Sequence, residues 1–133
     1  MRAAKITAVA VGAFTGALAG AVTLGLDASL DVGSSFIGPT RDWWPLHAMV
    51  GAAGGAVFGL ALGLFLALVQ VDKLVTLVVA GLIGAFGVLV ILLLNSGFSW
   101  SQRSLPAQVM PLLLSLLIWP LIGIVIRAIR GRT

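Results

Sequence analysis

Two things are scarce in this chain of 133 residues: it has no cysteine, and only 9% of its residues are charged. Without cysteine it can form no disulfide, carry no thiol nucleophile and bind no metal through thiolate. Soluble domains carry about 25% charged residues. The chain therefore has too few polar groups to cover a water-soluble globule. The lack of cysteine does not indicate whether the protein resides in an oxidising or a reducing compartment.

Charge is also missing from the long apolar runs, which contain no Asp, Glu, Lys or Arg. Proton pumps and many ion-coupled transporters use ionisable groups within the membrane, and this chain alone offers none. It also lacks a phosphate-binding motif and a cluster of metal-ligating residues. The sequence therefore predicts a protein that is not an enzyme, with no catalytic residues and no metal site.

The apolar runs predict the fold class. Four of them reach the roughly 20 residues that span the hydrocarbon core of a bilayer, and none alternates as a membrane β-barrel strand would. We expect an all-α, polytopic membrane protein: one membrane domain, 1–133, with helices at about 6–26, 46–69, 74–95 and 106–126 and an outer loop at 27–45. The first run is long enough to be a retained helix rather than a signal peptide.

The basic residues predict the orientation in the membrane. Two of them, Arg41 and Arg103, flank the spans on one side, and six flank them on the other: Arg2, Lys5, Lys73, Arg127, Arg130 and Arg132. Cytoplasmic flanks carry the excess of Lys and Arg, so we expect cytoplasmic N- and C-termini in a bacterial inner membrane. Because these charges lie at span ends, the net charge of +4 predicts no nucleic-acid partner.

Other residues at the span ends are candidate membrane anchors. Tryptophan prefers the headgroup region, which makes Trp43, Trp44 and Trp100 a predicted outer belt. Arginines just past the last span attract anionic headgroups, and the candidates there are Arg127, Arg130 and Arg132. Lipid is thus the first predicted partner.

Glycine recurs every four residues in the first two spans, as in the GxxxG pattern of packed membrane helices. The residues are Gly12, Gly16 and Gly20, extended backward by Ala8, and Gly51, Gly55, Gly59 and Gly63. Residues four apart share a helix face, and small residues let membrane helices approach closely. We expect a glycine seam in an antiparallel bundle, either within one chain, which we favour, or between chains.

The seam segments also resemble each other, 12–20 against 51–59. Inverted repeats occur in transporters, but shared composition alone explains the likeness as well.

Two further expectations concern the fourth span and Asp27. The fourth span is rich in Leu and Ile and should bend at Pro120, which favours a place outside the bundle or against a partner. Asp27 is expected to be a solvated boundary charge.

Three functions compete. The first is a non-catalytic integral membrane subunit that packs in and stabilises a larger complex, an energy-converting or transport assembly, with other membrane subunits as partners. The second is a small homo-oligomeric channel or transporter, or a holin-like protein. The third is a pigment- or haem-binding subunit, with His47 as axial ligand and Gly51 leaving room for the ring. The sequence itself requires no cofactor.

Overall fold

The computed structural model of the chain describes residues 2–30, 34–35, 38–96 and 105–131, and the side chains of 3–28, 42–94 and 108–130. Its long elements are four α-helices: α1 (Arg2–Leu30), α2 (Trp44–Leu68), α3 (Lys73–Ser96) and α4 (Leu105–Gly131). Each contains a segment of 22 to 26 residues that is long and apolar enough to cross a membrane. The predicted all-helical fold with four candidate spans is confirmed.

The helices extend beyond most of the predicted bounds, and α1 does so most. It runs over Arg2–Leu30 rather than 6–26, because helical hydrogen bonding continues past the apolar residues that fix the predicted span. Between α1 and α2, Ser34–Ser35 pairs antiparallel with Gly38–Pro39, and a 3-10 turn at Thr40–Trp43 follows. Helix α2 then begins with a proline in its first turn, a position where proline costs no hydrogen bond.

A short linker joins α2 to α3. Asp72 starts α3, because its Oδ1 accepts the backbone N–H of Val75 at 2.8 Å, as an N-cap residue does. The last turn of α4 reaches the same linker. Arg130 Nη1 donates to the carbonyl of Val69 at 2.9 Å, and Arg127 Nε donates to that of Val71 at 3.4 Å. These bonds tie one end of α4 to the α2–α3 linker.

Helix α4 buries one face and exposes the other, and its buried share equals that of α1 and α2. It packs against both α1 and α3. Its buried residues Trp119, Ile122 and Ile126 share one core cluster with residues of the other three helices: Ala8, Ala19, Leu62, Leu66, Ala67 and Ala80. On this face, large side chains of α4 meet small residues of α1 and α3. A place for its exposed face against a partner stays a prediction.

Candidate functional site

Helices α1 and α2 meet through the glycines that the sequence singles out. A Cβ built at Gly20, Gly16 or Gly12 would overlap a carbonyl oxygen of α2, and the oxygens concerned belong, in that order, to Gly51, Gly55 and Gly59. At the fourth position, a Cβ at Gly63 would lie 2.8 Å from the carbonyl oxygen of Ala8. The contacts therefore pair Gly20 with Gly51, Gly16 with Gly55 and Gly12 with Gly59.

The contact is between backbones, which is why it excludes larger residues. All seven glycines are buried. A Cβ at Gly55 would lie 3.1 Å from the Cα of Gly20, and one at Gly59 would lie 2.9 Å from the Cα of Gly16. At such an approach Cα–H groups can contact carbonyl oxygens of the opposite helix, each contact contributing about 0.5–1 kcal/mol. The arrangement is suited to holding two helices together and offers no chemistry of its own.

The threonines of the spans satisfy their hydroxyl groups locally. Each donates to the carbonyl four residues earlier, at 2.6 to 2.8 Å: Thr7 to Ala3, Thr15 to Val11, Thr23 to Ala19 and Thr76 to Asp72. Such back-bonding is how Thr is accommodated in a membrane helix. These four hydroxyl groups therefore have acceptors within one turn of their own chain.

Asp27 is buried, with 6% of its surface exposed, so the expected solvated boundary charge was wrong. The reason is the greater length of α1, which continues to Leu30 and keeps Asp27 on the helix. Near it, a Cβ at Gly25 would lie 3.3 Å from the Cβ of Ala48, which places this end of α1 beside the start of α2.

His47 lies half-buried in the first turns of α2. The space beside Gly51, one turn further on, is filled: a Cβ there would overlap the Gly20 carbonyl oxygen and lie 2.9 Å from the Cβ of Leu24. The room expected for a flat ring next to Gly51 is therefore taken by α1. A role for His47 as an axial ligand stays a prediction.

The candidate anchors fall into three groups. Trp43 and Trp44 are exposed at one end of the bundle, as interfacial tryptophans would be. Arg127 and Arg130 lie at the other end and donate to linker carbonyls. These contacts could not be predicted from the sequence, because their partners are 56 and 61 residues apart. Trp100 and Arg132 lie outside the described residues. Anchoring to lipid stays a prediction for all of them.

One feature of α4 was missed from the sequence. Trp119 is 2% exposed and Ser115 is fully buried, and neither Trp119 Nε1 nor Ser115 Oγ has a hydrogen-bond partner within the described part of the chain. The indole lies where a side chain at Gly84 of α3 would be. One clue was available in the sequence. The fourth span contains a single tryptophan, and a small residue on another span, such as Gly84, can make room for a side chain of that size.

Comparison with known proteins adds no family. Among the described residues there is also no group of three or more His, Cys, Asp or Glu that could hold a metal ion. The chain matches no protein-family model, no curated protein and no solved structure.

Proposed function

We propose that the chain is a non-catalytic integral membrane subunit that packs in and stabilises a larger membrane complex, an energy-converting or transport assembly. The observation that carries the proposal is the apolar outer surface of the helices. Large apolar side chains are exposed on all four, for example Phe14 at 67%, Val57 at 65%, Leu94 at 83% and Leu117 at 69%. Such a surface suits lipid tails and the apolar faces of other membrane helices.

The proposal includes an antiparallel bundle in which the seam joins α1 to α2. It is supported by the backbone contacts from Gly20–Gly51 to Gly12–Gly59. It is also supported by the four threonine hydroxyls, which bond within their own helices. A seam used inside the chain leaves larger side chains, rather than glycines, to meet a partner subunit.

The proposal also includes the orientation of the chain and the membrane in which it lies. We place the termini in the cytoplasm of a bacterium and the bundle in its inner membrane, because the basic residues flank the spans mainly on the side of the termini. The described residues of that side include Lys5, Lys73 and Arg127, all of them exposed.

The test is purification of the tagged chain from native membranes in a mild detergent, followed by mass spectrometry and an absorption spectrum of the eluate. We expect larger membrane subunits to co-purify in fixed stoichiometry. Leu117→Ala or Phe14→Ala on the outer surface should weaken co-purification without changing thermal unfolding. Lys5→Gln, outside the apolar surface, serves as the matched control.

A homogeneous, colourless oligomer of this chain alone would overturn the subunit proposal and turn attention to a channel or holin-like function, which flux assays in liposomes would examine. A visible absorption band that is lost in His47→Ala would instead favour the pigment- or haem-binding alternative. Either result can be told apart from the co-purification of other membrane subunits, which is the outcome that the subunit proposal predicts.

A further inference from the structure

Two buried polar groups of α4 lie on the same face, one turn apart. Ser115 Oγ and Trp119 Nε1 are both inaccessible and have no hydrogen-bond partner in the part of the chain that the structure describes. Side chains at i and i+4 lie one above the other, and each leans toward the N-terminus of its helix. The indole of Trp119 therefore leans toward the turn that carries Ser115.

The surroundings supply no side-chain partner from α3. The segment of α3 between Thr76 and Asn95 is entirely apolar, and the atoms it brings here include the backbone of Gly84, against which the indole packs. Thr76, at the start of α3, already donates its hydroxyl to the carbonyl of Asp72 at 2.8 Å. Burying an indole N–H without an acceptor costs free energy, and more so in a bilayer, where bulk water is absent.

A third polar group belongs to the residue that follows Ser115 in α4. Pro120 has no N–H, so the carbonyl of Leu116 lacks the donor that the helix would otherwise provide. Carbonyl groups of a helix point toward its C-terminus, so this one points toward the turn that carries Trp119 and Pro120. That turn packs on α3, since Pro120 and the Leu116 side chain lie 3.6 and 3.8 Å from the position of a Cβ at the buried Gly81. A donor, a carbonyl acceptor and a hydroxyl thus occupy the same stretch of helix.

We propose that Ser115, Trp119 and the Leu116 carbonyl bind one buried water molecule. Its oxygen accepts the indole N–H, and its two hydrogens donate to Ser115 Oγ and to the Leu116 carbonyl oxygen. Three polar partners are the number that buried waters typically have. Ordered water is also a recognised way to satisfy a carbonyl that proline frees in a membrane helix. The threonines need no such water, because their own helix supplies the acceptor.

The experiment is nuclear magnetic resonance of the Trp119 indole N–H in the full chain, labelled with nitrogen-15 and held in a lipid nanodisc. Substituting Trp43, Trp44 and Trp100 by Phe leaves one indole signal. We expect direct cross-relaxation between this N–H and water, distinguished from chemical exchange by its sign in the rotating frame. Ser115→Ala should weaken the water cross-peak at least twofold and shift the indole proton.

Thr7→Val is the matched control, because it also removes one hydroxyl from a span but at a site where the hydroxyl bonds to its own helix. It should leave the indole signal unchanged. An indole proton without a direct water cross-peak in the unsubstituted helix would overturn the proposal. So would a shift in Ser115→Ala without any water contact, since that result assigns a direct bond from Trp119 to Ser115. Circular dichroism of each variant establishes that it is folded.

Discussion

Trp119 of α4 lies against Gly84 of α3 so closely that a Cβ at position 84 would overlap the indole ring. This contact accommodates the largest side chain on the buried face of α4: the tryptophan occupies the space that the missing side chain of Gly84 leaves. Both residues are buried, and α3 packs closely on α4 around them.

Gly84→Ala tests this contact, with Gly81→Ala as its matched control one turn away. We expect Gly84→Ala to destabilise the fold by about 1–3 kcal/mol through overpacking, because the buried indole cannot move away. A Cβ at Gly81 meets Pro120 only at 3.6 Å, so Gly81→Ala should be neutral or stabilising by up to about 1 kcal/mol through helix propensity. Denaturant titration in mild detergent, followed by circular dichroism, measures both. Equal effects would show that Trp119 does not depend on Gly84.

Neighbouring glycines of α2 provide a second matched pair. A Cβ at Gly55 would overlap the backbone carbonyl of Gly16, whereas one at Gly54 would overlap only the tip of the Ile91 side chain, which can rotate. We expect Gly55→Ala to cost about 1–3 kcal/mol and Gly54→Ala to cost less than 1 kcal/mol, in the same unfolding assay. If Gly54→Ala proved the more harmful of the two, the α1–α2 contact would not be the tighter constraint.

Asp72 provides a test of how α3 begins. Asp72→Ala removes the acceptor of the Val75 N–H and should destabilise the protein by about 0.5–2 kcal/mol, the usual cost of losing an N-cap. Asp72→Asn keeps an oxygen that can accept the same bond and should remain close to the unsubstituted chain. Thermal unfolding compares the three proteins, and a similar loss in both variants would point to the charge of Asp72 instead of its cap.

Because the chain has no cysteine, its orientation can be measured with single introduced thiols. Asp42 and Lys73 are exposed and lie at opposite ends of α2. In intact cells we expect a membrane-impermeant maleimide to label Asp42→Cys, and to label Lys73→Cys only after the membrane is permeabilised. The reverse pattern would contradict the proposed cytoplasmic termini.

Hydropathy was sufficient to predict the number of helices and their approximate positions, since crossing a bilayer fixes both length and composition. Most helices nevertheless extend past the predicted bounds. The spacing of small residues also singled out the glycines that lie opposite one another in α1 and α2. That this contact holds a bundle together in a membrane is part of the proposal above.

What the sequence could not predict depends on contacts between distant residues. The burial of Trp119 could not be predicted, because nothing near it in the sequence indicates that Gly84 makes room for it. The bonds from Arg127 and Arg130 to the α2–α3 linker likewise join segments far apart in the chain. Asp27 was placed in water because the apolar run stops before it, whereas the helix does not.

Helices α1 and α4 are in contact although two other helices separate them along the chain, and this has a consequence for how the protein is made. Residues of α1 such as Ala8 and Ala19 share their core with Trp119 and Ile126 of α4, which leaves the ribosome after the other three helices. A nascent chain can form the α1–α2 contact early, but this core closes only after α4 has been synthesised. Chains truncated before α4 therefore leave that face of α1 uncovered and should be preferred targets of membrane quality control.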